Sequence, residues 1–152
     1  MLMINCKNDK IRDIAEKALL KMTGITEKLI PEHDRTNIRN NILLGTKVVN
    51  ILFYSTINPW TRVLAKSDVN GTNIYFNLKR MNRSDKSLAG TFAHELSHIF
   101  GYVHEGNYAT ASNLLTIPYL TGQWVEDNYE DIKLEDKISE IYFNVKKEEY
   151  GK

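Results

Sequence analysis

Three of the four histidines in this 152-residue chain fall within one stretch, HELSHIFGYVH, from His94 to His104. No other feature restricts the fold as much. On an α-helix, residues four apart share a face and lie about 6 Å apart along the axis. His94 and His98 therefore turn their rings to one side only where the backbone is helical. The helix must then stop. Gly101 supplies the stop, because a residue without Cβ enters the left-handed backbone region freely and lets the chain turn sharply. His104, three residues on, is free to swing back toward the other two. The far side of the segment carries Leu88, Phe92, Leu96 and Ile99, an apolar face to bury.

The rest of the chain supplies elements to bury it against. DKIRDIAEKALLKM, 9–22, sets Ile11, Ile14, Ala15, Ala18 and Met22 on one helical face, with Asp9 near the start and Gly24 after the end. The polar PEHDRTNIRNN reads as a loop or short irregular helix. TKVVNILFYST, 46–56, is rich in β-branched and aromatic residues and reads as a buried strand. Turns at Asn58-Pro59 and Asn70-Gly71 bracket a candidate short strand, TRVLAK. GTNIYFNLKR then alternates, with Ile74, Phe76 and Leu78 to one side and Tyr75 and Asn77 to the other, as a half-exposed strand does. Ser84-Asp85 marks the start of the histidine-bearing helix. Beyond His104 the chain reads as irregular up to Ile117-Pro118-Tyr119. From 131 to 148, Leu134, Ile138, Ile141, Tyr142 and Val145 recur at helical spacing, which predicts a closing amphipathic helix. With strands before the central helix and no repeat or linker, the expectation is a single α+β domain over residues 1–152.

Composition narrows the partners. A net charge of +1 gives no global field for nucleic acid or an anionic membrane, so neither is expected as a partner. Cys6, the single cysteine, excludes an intramolecular disulfide and a cysteine-based zinc cluster. The start, MLMINCKNDKIRDI, has no basic head followed by an apolar run, and no segment reaches membrane-span length. The expectation is a cytoplasmic monomer.

Convergent imidazoles suit a zinc ion, which takes nitrogen at about 2.0–2.1 Å and favours four ligands in a tetrahedron. Imidazole also suits iron, nickel, copper and cobalt, so zinc is read from ligand type. Three neutral ligands leave the ion's charge uncompensated, which lowers the pKa of a bound water to about 7 and polarises a carbonyl. Glu95 is rotated about 100° round the helix from His94. From there a carboxylate can accept the proton of an attacking water and pass it to a leaving amine. Each fixed position of HExxHxxGxxH thus has its own physical task.

This pattern, in His94, Glu95, His98, Gly101 and His104, resembles the zinc-binding consensus of the metzincin metallopeptidases. The resemblance implies zinc ligation by His94, His98 and His104, with Glu95 as general base in peptide hydrolysis. It also implies a zincin-like fold: a small twisted mixed sheet packed on the active-site helix, flanked by N- and C-terminal helices. An edge strand would lie above that helix and bind the extended substrate. GTNIYFNLK occupies the matching place in the chain, so the strand at 73–78 is expected to hold a peptide or protein substrate by strand addition. One departure stands out. Metzincins carry a methionine turn beyond the third histidine, whereas the methionines here are Met1, Met3, Met22 and Met81. TIPYLTG, 116–122, is a substitute candidate. It is also similar to a serine-valine-proline-tyrosine stretch of small bacterial and phage metallopeptidase-like proteins.

Tyr119 is a candidate catalytic residue, donating a hydrogen bond to a developing oxyanion, or else an ordinary Pro-Tyr turn packed on the core. Glu105 is a candidate to orient a histidine, against a solvated side chain. Trp60 and Trp124 line a cleft or pack in the core, His33 reads as a surface residue, and Cys6 as a buried or idle thiol. Two rival functions stay open: a non-catalytic metal-stabilised binding module, and a metalloprotease-like protein recruited to nucleic acid.

Overall fold

The computed structural model describes residues 1–58 and 62–130. The expected closing helix at 131–148 and Trp60 lie outside the described residues. In chain order the elements are β1 (Met3–Asn5), α1 (Asp9–Thr23), α2 (Glu32–Leu43), β2 (Val48–Tyr54), β3 (Ala65–Ser67), β4 (Asn73–Asn77), α3 (Asp85–Ile99) and α4 (Ile117–Asn128). Among the described residues the architecture is α+β: four helices and a mixed sheet of order β1-β2-β4-β3. β1, β2 and β4 run parallel, and β3 pairs with β4 antiparallel.

The first helix forms where periodicity places it. The Asn8 side chain caps it by accepting from the Ile11 N–H at 3.0 Å, and Ile11, Ile14, Ala15, Ala18 and Met22 are all buried. α2 departs from the expected loop or irregular turn and is a regular helix of 12 residues. Only Ile38 and Ile42 are buried along it, so its apolar signal is a single i, i+4 pair. Tertiary contacts supply the rest: Arg39 Nε, for example, donates to the Thr23 carbonyl at the end of α1, at 2.9 Å.

β2 alternates instead of burying both faces: Val49 and Ile51 point into the core and Leu52 is exposed. β4 buries Ile74 and Phe76 as expected, but Asn77 is buried and Leu78 is 54% exposed. The reason lies in Asn77. Its side-chain amide donates to the Val63 carbonyl at 2.9 Å and accepts from the Lys79 N–H at 3.1 Å. The chain therefore leaves the strand into a 3-10 turn at Leu78–Arg80, and Leu78 swings outward.

The expectation of a substrate-binding edge at 73–78 is overturned. β4 is interior, its backbone paired with β2 on one side and β3 on the other. The tight turn through Asn70 and Gly71 folds β3 back along β4, with Gly71 N–H donating to the Asp68 carbonyl at 2.9 Å. Among the described residues, the outermost strand on that side is β3.

α3 is the centre of the molecule, in contact with α1, α4, β3 and β4. Its buried Leu88, Phe92, Leu96 and Ile99 each contribute about 1.5–3 kcal/mol on leaving water, against about 1 kcal/mol for a typical hydrogen bond. The apolar face thus fixes the helix, and its polar face can be given over to chemistry. Among the described residues no helix is long and apolar enough to cross a membrane.

Candidate metal centre

α3 starts where Ser84 Oγ accepts from the Ser87 N–H at 3.3 Å. It ends in a paired-bond cap around Gly101. The Gly101 N–H donates to the His98 carbonyl at 2.9 Å, and the Tyr102 N–H to the Ser97 carbonyl at 3.1 Å. Gly101 has φ of 100°, in the left-handed region, and a Cβ there would stand 2.9 Å from Asn70 Oδ1. The positive φ, more than the contact with the movable end of Asn70, is what reserves this bend for glycine. Lys47 completes the corner, its Nζ donating to the carbonyls of Gly71 (3.2 Å) and Ile99 (3.4 Å), a cation at a helix C-terminus.

Past this bend His104 returns to the helix. The three imidazole centroids are 5.0, 4.9 and 4.9 Å apart, and one ring nitrogen of each lies within 4.8 Å of the others. His94 Nε2 and His104 Nε2 are 3.0 Å apart, near the roughly 3.4 Å of two nitrogens sharing a tetrahedral zinc. Carbonyls, which can only accept, fix two of the tautomers. His98 Nδ1 donates to the Tyr102 carbonyl at 2.7 Å, and His104 Nδ1 to the Glu105 carbonyl at 3.2 Å. Each Nε2 is left with its lone pair for a cation. Burial, reinforced by its two neighbours, lowers the His94 pKa to about 3, so its ring is neutral at pH 7. Burial also lowers that of His98. This cluster can hold a metal ion.

Glu105 orients His104, but through its backbone carbonyl; its side chain is exposed. That carbonyl is in turn held by Asn113, which is buried and also donates to the Tyr108 carbonyl at 2.9 Å and accepts from the Thr110 N–H at 2.8 Å. Asn113 thus organises the loop that carries the third histidine. Nothing in its local sequence, ASNLL, announces this.

Glu95 is 5% exposed. Burial pushes its carboxyl up to about 7, opposed by a hydrogen bond from Ser67 Oγ to Oε1 at 3.3 Å. The same hydroxyl lies 3.1 Å from the Glu95 carbonyl, so the edge strand β3 is tied to the residue beside His94. The sequence singles out Glu95 but gives no sign of Ser67, since only the β3–α3 packing brings them together.

TIPYLTG is the first turn and a half of α4, with Pro118 at the helix start, where its missing N–H costs nothing. Tyr119 stands with its ring 4.5 Å from that of His94 and 4.6 Å from that of His104. Two glycines bring it there. A Cβ on Gly122 would lie 2.8 Å from the Gly90 carbonyl oxygen and 3.1 Å from the His94 Cβ. A Cβ on Gly90 would lie 2.8 Å from the Gly122 carbonyl oxygen. Neither glycine was singled out from the sequence, although both fall inside helices, where a glycine weakens the helix unless packing requires it.

His94, Glu95, His98, His104 and Tyr119 all line one cavity of about 480 Å³, with β3 along one wall and α4 along another. Trp124 is buried in the core away from it, His33 is exposed, and Cys6 is buried, its thiol pKa raised by desolvation. No family model, no curated protein and no solved structure matches this chain.

Proposed function

We propose that the chain is a small zinc-dependent peptidase with a zincin-like arrangement. The observation that carries the reading is the convergence of His94, His98 and His104 beside a buried carboxylate, Glu95, in one cavity. A structural metal site is normally closed by a fourth protein ligand and needs no base nearby. Here three imidazoles meet in the wall of a cavity large enough for part of a peptide.

The donor set fits the ion: three nitrogen ligands, two with tautomers fixed by carbonyls, would hold it as neutral donors. Zinc bound there supplies Lewis acidity toward a peptide carbonyl and toward water. The chain supplies the rest. Glu95, steadied by Ser67, accepts the proton of the attacking water and returns it to the leaving nitrogen. Tyr119, with its ring against two of the histidines, offers its phenol to the oxygen that gains charge. Substrate is held along the outer edge of β3, in place of the strand at 73–78, since β3 is the last strand of the sheet among the described residues and its Lys66 and Ser67 line the cavity.

The test is metal analysis of the purified chain joined to a broad peptide-library assay. Near-stoichiometric zinc, with hydrolysis abolished by Glu95→Gln while zinc content holds, is the expected result. Undiminished hydrolysis in that variant removes Glu95 as the base. Bound zinc with no cleavage of any peptide moves the chain to the non-catalytic binding module.

A further inference from the structure

The cavity extends beyond the histidines along the same face of α3. Ser87, Thr91, His94 and His98 succeed one another along it, and Arg83 lies at the end away from the metal cluster. The Arg83 side chain folds back over the start of the helix and is pinned. Nε donates to the Arg80 carbonyl at 2.6 Å, while Nη1 donates to Ser87 Oγ at 3.1 Å and to Thr91 Oγ1 at 2.8 Å. Nη2 is buried, and no acceptor among the described residues reaches it. Burial and the neighbouring Arg80 lower the Arg83 pKa, opposed by Glu126 of α4. The charged groups around the cavity are thus Arg62, Lys66 and Arg83 against Glu95 and Glu126.

The N–H groups of Arg83 are thus engaged or buried, and what the pinned guanidinium offers the cavity is a fixed positive charge, which favours an anionic oxygen beside it. The Ser87 hydroxyl, which accepts from Nη1, keeps its own hydrogen for a second oxygen. Ser87 precedes His94 by seven residues, about 10.5 Å along the helix axis. An extended peptide advances about 3.3 Å per residue. A group held at Ser87 and Arg83 therefore lies about three residues from a carbonyl placed at the histidines.

We infer that Arg83 and Ser87 form a carboxylate-recognition subsite, so that the favoured substrate carries an acidic group about three residues from the scissile bond. The inference rests on the peptidase reading for its scissile bond, while carboxylate binding itself does not. The carboxylate belongs either to an Asp or Glu side chain or to a free peptide C-terminus.

The test reads binding rather than turnover. Zinc-loaded full chain carrying Glu95→Gln is titrated, by fluorescence anisotropy, with two pairs of labelled peptides. One pair differs only by Glu against Gln, the other only by C-terminal acid against amide. At least tenfold tighter binding of the acidic member of one pair is expected, and the pair that responds identifies the source. Adding Arg83→Gln should erase the difference, and Arg83→Lys should keep part of it. Equal affinities within both pairs overturn the subsite, as does a preference that survives Arg83→Gln intact. If Arg83→Gln does not fold, the two pairs and the Arg83→Lys variant still decide. Acid-dependent binding with no hydrolysis by the unsubstituted zinc-loaded chain sustains the subsite and overturns the peptidase reading.

Discussion

Tyr119 has two separable attributes: a ring packed between His94 and His104, and a phenol at the cavity wall. Phenylalanine keeps the first and removes the second. If the phenol stabilises the developing oxyanion, Tyr119→Phe lowers kcat by about 100-fold, the low end for loss of such a donor, with KM little changed. A packing role alone leaves kcat where it was, and steady-state kinetics on one peptide separates the two. At this scale the sequence was informative for residues whose identity is their chemistry. His94, Glu95, His98 and His104 come together as their spacing requires, because helix geometry and a glycine bend are local rules. Ser67, Asn113 and Arg83 act through neighbours 28, 8 and 8 residues away, and the identities of a serine, an asparagine and an arginine do not reveal such partners.

At the scale of elements, α3 and α4 determine whether Tyr119 meets the histidines at all. Their backbones approach through Gly90 and Gly122, where an added Cβ would stand 2.8 Å from a carbonyl oxygen of the facing helix. Gly122→Ala should therefore push the helices apart and cost about 1–3 kcal/mol despite alanine's better helix propensity, a cost that chemical denaturation reads directly. Stability equal to or above the parent would show that the helices do not need the close approach. Gly122 also bears on why α4 was hidden in the sequence. Pro118 and Gly122 look like helix breakers, yet the first sits at the helix start and the second serves the neighbouring helix. α1 and α3 were legible because their buried positions repeat at helical spacing, whereas α2 buries only Ile38 and Ile42. Strand order was hidden for a different reason. Alternation says which face of a strand is buried, not which neighbours it pairs with, so the interior place of β4 emerges only when β3 folds back along it.

Across the whole molecule, the candidate metal centre joins parts of the chain that the core holds less directly. His94 and His98 lie on a helix fixed by Leu88, Phe92, Leu96 and Ile99, while His104 sits on a loop anchored by Asn113 and facing α4. An ion taking all three imidazoles ties that loop to the helix and binds only the folded chain, since the unfolded chain has no such convergence. Linkage then gives the size of the effect. Free zinc at 100 times its dissociation constant stabilises the fold by about 2.7 kcal/mol, which for a domain of this length raises Tm by roughly 5–10 °C. A chelator should reverse the shift. His104→Ala removes the one of the three histidines that lies outside α3, so it should abolish most of the zinc-induced shift while leaving the metal-free Tm nearly unchanged, because the helix is held by its apolar face. A zinc-induced shift that persists in His104→Ala would place the ion elsewhere and separate this loop from the site.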